Sequence, residues 1–177
     1  MSAGSHPTLR VFGAGGAFSR RYGTTCSMIT TASDAKWLID CGRQAPDQIE
    51  AAGLSWHQIA GQIVTHVHGD HIFGMEDFAF RRFFEAHDGV EAVMRGGPRP
   101  HLIAHSAVLA EIWQSLAPSL RYLKGEDGDP CTGTLESYFE VAAAASKEGP
   151  RDNAWNHAER FQVNEVALTA RECQHVP

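Results

Sequence analysis

Thr65-His66-Val67-His68-Gly69-Asp70-His71 is the stretch on which the reading of this chain turns. In an extended segment alternate side chains project the same way, so His66 and His68 can grip one cation together. Gly69 permits a sharp turn, and Asp70 and His71 then project into a neighbouring position where they can hold a second cation. Imidazole nitrogen and carboxylate oxygen are the ligands that Zn²⁺ accepts at a catalytic site, where one coordination position stays open to water. The competing reading is a histidine-rich surface loop. Three histidines and an aspartate at this spacing, directly after the apolar strand Gln62 to Thr65, argue against it.

Outward from this cluster the chain alternates strand and helix patterns. Upstream, Leu9 to Phe12 reads as a short strand broken by the turn Gly13-Ala14-Gly15-Gly16. Cys26 to Thr31 and Lys36 to Asp40 read as two further strands joined by Ala32-Ser33-Asp34, and the three could form an antiparallel meander. Pro46 suits the first turn of a helix over Asp47 to Ala52, which Gly53 would end in a left-handed conformation. Downstream, Phe73 to Ala86 reads as an aromatic-rich helix and His101 to Ala104 as a strand. Ser106 is placed to cap a helix from Ala107 to Leu116 with Val108, Leu109, Ile112, Trp113 and Leu116 on one face. Lys124 to Thr134 reads as a loop, Leu135, Tyr138 and Phe139 as a third helical stripe, and Ser146 to Asn156 as a polar connector. Phe161 to Val163 and Val166 to Thr169 form a closing pair of strands. This order predicts an α/β fold.

The length, 177 residues, fits a single domain spanning 1–177, and 43% hydrophobic with 20% charged residues is a globular mixture. A net charge of -6 argues against broad, sequence-blind binding to nucleic acid, which needs basic surface. It leaves room for a small anionic substrate, because bound cations would dominate the local field. Cys26, Cys41, Cys131 and Cys173 show no CxxC spacing and read as free thiols. No signal-peptide pattern and no membrane-spanning apolar run is present, so the expectation is a cytoplasmic protein without membrane association. Gly13 to Gly16 is a tight turn and not a dinucleotide fingerprint, because the sixth position of that motif is Phe18. His57, His87, His101, His105 and His157 lack ligand-like spacing and are expected to be structural or solvated.

His66, His68, Asp70 and His71 spell the HxHxDH signature, in which the chain resembles the metallo-β-lactamase superfamily. Phe12-Gly13-Ala14-Gly15-Gly16-Ala17-Phe18-Ser19 is similar to the glycine-rich first turn of its ribonuclease Z-like branch. Leu38-Ile39-Asp40-Cys41-Gly42 is similar to a strand end of that branch, and Gly74-Met75-Glu76 to the segment that follows the signature. Leu109, Trp113, Ser115, Leu116, Leu135, Tyr138 and Phe139 are more weakly similar to bacterial and phage enzymes that hydrolyse cyclic nucleotides. The resemblance implies an αββα sandwich, present here as the first half plus the start of the second. It implies two Zn²⁺ ions, with Mn²⁺ or another divalent metal as substitutes.

His66, His68 and His175 would hold one metal and Asp70 and His71 the other. Asp70 would accept a hydrogen bond from the nucleophile, and Asp40 would support the metal loop from behind. A bridging carboxylate and a last histidine are expected after Pro177, so the domain is expected to be incomplete at its C-terminal end, which leaves Asp70 and His71 under-coordinated and puts the activity of this piece alone in doubt. The implied activity is hydrolysis of a phosphodiester, either a cyclic nucleotide or an RNA 3′ end as for a nuclease, and a homodimer is expected. The alternatives are a lactone, thioester or β-lactam hydrolase on the same fold, and a non-catalytic metal-binding or scaffold protein with an incomplete site.

Overall fold

The computed structural model describes residues 6–84, 98–124, 128–148 and 158–171. The elements are β1 (Thr8–Gly13), β2 (Cys26–Thr30), β3 (Lys36–Ile39), α1 (Ala45–Ala51), β4 (Ile59–Val64), α2 (Gly69–Ile72), α3 (Met75–Phe84) and β5 (His101–Ala104). They are followed by α4 (Ser106–Leu120), β6 (Tyr122–Lys124), β7 (Pro130–Thr132), α5 (Leu135–Tyr138), β8 (Glu140–Val141), β9 (Ser146–Glu148), β10 (Ala158–Val163) and β11 (Val166–Arg171). No described helix is long and apolar enough to cross a membrane.

The main sheet has the order β1-β2-β3-β4-β5-β8. β1, β2 and β3 form the antiparallel meander, whereas β3, β4, β5 and β8 run parallel. Central parallel strands are covered on both faces, and neighbouring residues divide accordingly. Leu38 and Leu102 join a core with Phe78, Phe83, Ile112, Leu116 and Tyr138 under α3, α4 and α5. Their neighbours Trp37 and Ile103 join a second core with Phe161, Val166 and Leu168. That second core lies between the main sheet and a smaller one of order β11-β10-β9. The arrangement is helices, sheet, sheet: an α/β architecture with a second sheet closing the far side.

Two polar contacts pin the small sheet at opposite ends. At the turn between β10 and β11, Glu165 accepts from the hydroxyls of Thr31 and Ser33 in the β2–β3 turn. At the start of β10, the buried Glu159 accepts from the backbone N–H and hydroxyl of Ser106 and pairs with Lys147 at 2.8 Å. Burial pushes this carboxyl up, but the hydrogen bonds from Lys147 and Ser106, with His105 nearby, outweigh it and bring the pKa down to about 2. His101 is structural as expected, stacking on Trp37 at 5.7 Å between ring centroids. Gly61 makes room for that indole, since a Cβ there would lie 2.5 Å from the Trp37 ring.

Several sequence expectations are corrected. The helix expected over Phe73 to Ala86 is α3, which begins two residues later at Met75, after a bend at Phe73-Gly74 that separates it from the short α2 ending at Ile72; residues 85 and 86 lie outside the described set. A Cβ at Gly74 would sit 2.5 Å from the Gly42 carbonyl oxygen, so the bend is set by close backbone contact that helical periodicity does not reveal. Ser106 is not the cap of α4; His105 Nδ1 accepts from the Ala107 N–H, and the Ser106 hydroxyl is directed to Glu159. α4 continues through Pro118 to Leu120 because Leu116, Ala117 and Leu120 are buried. The expected loop Lys124 to Thr134 holds β7, paired with β6, and the expected connector after Ser146 begins as β9. Phe139 lies just past the end of α5, buried against Phe78. His87, His157, Cys173 and His175 lie outside the described residues.

Candidate metal centre

The parallel strands β3, β4 and β5 end at one edge of the sheet, and the functional side chains of the sequence gather there. β3 stops at Ile39, and Asp40 follows with a left-handed φ of 57°. Asparagine and aspartate tolerate that conformation better than other side chains. β4 stops at Val64, and Thr65 to His68 lead into α2, which begins at Gly69. Cys41 N–H donates to the His71 carbonyl, and Gly74 N–H donates to the Cys41 carbonyl, stitching the two strand ends together. Gly42 admits this approach: a Cβ there would lie 2.1 Å from the Asp70 carbonyl oxygen.

Asp40 is buried, 2% exposed, and its carboxylate organises the edge. One oxygen accepts from the Thr65 backbone N–H at 2.9 Å, and the carboxylate also takes the Thr65 hydroxyl hydrogen, at 3.0 Å from one oxygen and 2.8 Å from the other. His71 Nδ1 lies 2.7 Å from Oδ2. An ionised carboxylate can only accept, so His71 carries its proton on Nδ1 and presents the lone pair of Nε2. The same logic runs one step further. With its single hydrogen committed to Asp40, the Thr65 hydroxyl must accept at its 3.0 Å contact with His66 Nδ1, so His66 also presents Nε2. One buried carboxylate therefore sets the tautomer of two imidazoles, one directly and one through a hydroxyl.

The rings converge. His66 and His71 have centroids 3.9 Å apart, His66 and His68 4.8 Å apart, and His71 Nε2 lies 3.5 Å from an Asp70 oxygen. Among the described residues no group of three or more His, Cys, Asp or Glu side chains is placed to hold a metal ion. The donor chemistry nonetheless fits a divalent metal: outward Nε2 lone pairs backed by a carboxylate are the arrangement that ligating histidines adopt. Cys26 and Cys41, both fully buried, do not compete as ligands. Burial, with a smaller contribution from Asp40, raises the Cys26 thiol to about 12. Burial, then Cys26, Asp77 and Asp40, raises Cys41 well above its ordinary value.

The structure thus brings together His66, His68, Asp70 and His71 with Asp40 behind them. Thr65 and Gly42 were not singled out as functional by sequence reasoning. Their signal was position alone, one directly before the first histidine and the other two residues after Asp40. Also missed was a hollow of about 330 Å³ beside Asp70, lined by Phe18, Arg20, Arg43 and Phe73 among others.

A helix layer over a mixed sheet, a second sheet behind it, and histidines at the carboxyl ends of the parallel strands define a metallo-β-lactamase fold. The crystal structure of the metallo-β-lactamase fold protein YhfI from Bacillus subtilis matches 92% of this chain and 61% of its own length, with TM-score 0.54 and 14% identity. A diphosphatase from the PhnP family matches 92% of this chain and 60% of its own length, with TM-score 0.54 and 17% identity. Within that fold the chain belongs to the anti-Pycsar protein Apyc1 family, whose model matches residues 7–177. The anti-Pycsar protein Apyc1 of Paenibacillus sp. (strain J14) is 34% identical over 140 residues, 79% of this chain and 51% of that protein. The anti-Pycsar protein Apyc1 of Bacillus phage 010DV004 is 30% identical over 134 residues, 75% of this chain and 48% of that protein. The chain spans about half the length of these curated relatives.

Proposed function

We propose that this chain contributes the metal-binding edge of a zinc-dependent phosphodiesterase, with a cyclic nucleotide as substrate. The observation that carries the reading is the Asp40 network, which turns the Nε2 atoms of His66 and His71 outward as ligands. Membership in the anti-Pycsar family agrees with the resemblance to bacterial and phage enzymes that hydrolyse cyclic nucleotides.

In this reading His66 and His68 hold one cation and Asp70 and His71 the other. His175 is assigned as the third ligand of the first, in support of which stands the direction of β11. Arg171 pairs with Ala158 at the end of the hairpin where Glu159 meets Ser106, just past the carboxyl end of β5. β11 therefore runs toward the metal edge, and His175 follows four residues later in sequence. Divalent cations bound here supply Lewis-acid activation of water at neutral pH and charge neutralisation at phosphorus. Asp70 accepts a hydrogen bond from the attacking water and orients it, while Asp40 and Thr65 keep the rings of His71 and His66 from rotating.

The test is metal analysis of the purified full-length gene product that carries this chain, together with a substrate panel of 3′,5′-cyclic nucleotides, bis-p-nitrophenyl phosphate, nitrocefin and a lactone. The expected result is two zinc ions per chain and turnover confined to the phosphodiesters. Turnover of nitrocefin or the lactone alone would replace the assignment with a different hydrolase. A protein that takes up no transition metal would remove it.

A further inference from the structure

The hollow beside Asp70 is built from two segments, Phe18 to Arg20 of the glycine turn and Arg43 with Gly69, Asp70 and Phe73 at the metal loop. In a chain of net charge -6 it holds two guanidiniums, and among the described residues neither Arg20 nor Arg43 has a carboxylate ion-pair partner. Arg43 lies over the Phe73 ring, 5.6 Å from its centroid, a cation–π contact that steadies the guanidinium without consuming its hydrogen-bond donors. Phe18 is 95% exposed, an apolar ring left in water on a turn that also lines the hollow. The Asp70 carboxylate is the one acidic group in the lining, and Gly16 lies close to it, with the position of a Cβ 3.8 Å from its Oδ2.

We propose that this hollow is the subsite that receives a nucleoside phosphate, with Arg43 and Arg20 on the phosphate oxygens and Phe18 as the platform for the base. It deepens the phosphodiesterase reading of the same edge and rests on it. Guanidinium forks match the paired oxygens of a phosphate. An aromatic face accepts any nucleobase, because stacking needs a π surface and no particular hydrogen-bond pattern. Asp70 lies in both places, so a phosphate gripped by Arg43 sits next to the donors on α2. A volume of about 330 Å³ is enough for a mononucleotide with part of it left in solvent. The subsite selects for a nucleoside on the phosphodiester, which neither lactones nor β-lactams offer.

Calorimetric titration of the zinc-loaded protein with adenosine 5′-monophosphate and with inorganic phosphate tests it, with zinc content measured for every variant. Arg43→Gln and Arg20→Gln are expected to weaken both ligands about tenfold each, the loss of a charge-assisted contact. Phe18→Ala is expected to lower the ratio of nucleotide to phosphate affinity about tenfold, the loss of one stacked base. If zinc content and hydrolysis of bis-p-nitrophenyl phosphate are those of the unaltered protein while Arg43→Gln and Phe18→Ala bind the nucleotide unchanged, the subsite is refuted and the hydrolase stands. If the protein neither binds zinc nor cleaves diesters, the hydrolase reading falls. Nucleotide binding that still depends on Arg43 and Phe18 would then uphold the subsite, and absence of nucleotide binding would overturn it as well.

Discussion

Replacing Asp40 with asparagine changes no volume and keeps a side chain suited to the left-handed φ of 57°. It removes the carboxylate's negative charge and turns one acceptor atom into a donor. If the amide nitrogen takes the place of Oδ1, it faces the Thr65 backbone N–H at 2.9 Å, a donor that cannot turn away. If it takes the place of Oδ2, it faces His71 Nδ1 at 2.7 Å, and His71 must move its proton to Nε2 to accept. The first orientation leaves a buried donor without an acceptor, at a cost of about 1–3 kcal/mol. The second removes the lone pair that His71 offers a metal, and the loss of a partner behind a ligand lowers metal affinity about 10–100-fold. Chelator competition against zinc, with urea unfolding of the same samples, reads both quantities. The expected result for Asp40→Asn is a weakened metal site in a protein that still folds cooperatively. Asp40→Ala should lose more stability, because it adds strain at a positive φ to three lost hydrogen bonds. Wild-type zinc affinity and stoichiometry in Asp40→Asn would refute the argument that this carboxylate sets the ligand tautomers.

Gly42→Ala places a methyl group 2.1 Å from the Asp70 carbonyl oxygen and 2.4 Å from Thr24 Oγ1, so a loss of about 1–3 kcal/mol in urea unfolding is expected together with weaker zinc binding. His68→Ala should lower zinc uptake and abolish diester hydrolysis while circular dichroism stays unchanged, since the side chain is exposed outside any core. Glu159 has a folded-state pKa of about 2, below its ordinary 4.5, so its contribution is present above pH 4.5 and is lost as pH falls toward 2. Urea midpoints measured between pH 7 and pH 3 should therefore fall less for Glu159→Gln than for the unaltered protein.

The motif His66 to His71 announced the site because ligand geometry is written in local spacing, whereas the supporting role of Asp40 came only from the resemblance of Leu38 to Gly42 to a family strand end. Apolar alternation likewise marked β2, β4, β5, β10 and β11 to within a few residues. What escaped the sequence is long-range. The bend at Phe73-Gly74 depends on the Gly42 carbonyl, the role of Ser106 depends on Glu159, and the continuation of α4 past Pro118 depends on buried Leu120. Thr65 has no recognisable pattern of its own. Its part in orienting His66 emerges only when Asp40, from another strand, claims its hydrogen. The hollow at Arg43 joins residues more than twenty positions apart and is invisible to any local window.

The hairpin of β10 and β11, held at its turn by Glu165 and at its open end by Glu159, is in effect a measured strut between the two rims of the sandwich. Its alternating burial allows no sliding: a shift of one residue would turn Val166, Leu168 and Ala170 out to water. Arg171 is therefore held in fixed register beside Ala158, at the rim where Glu159 meets Ser106, and a residue inserted into either strand would break that register.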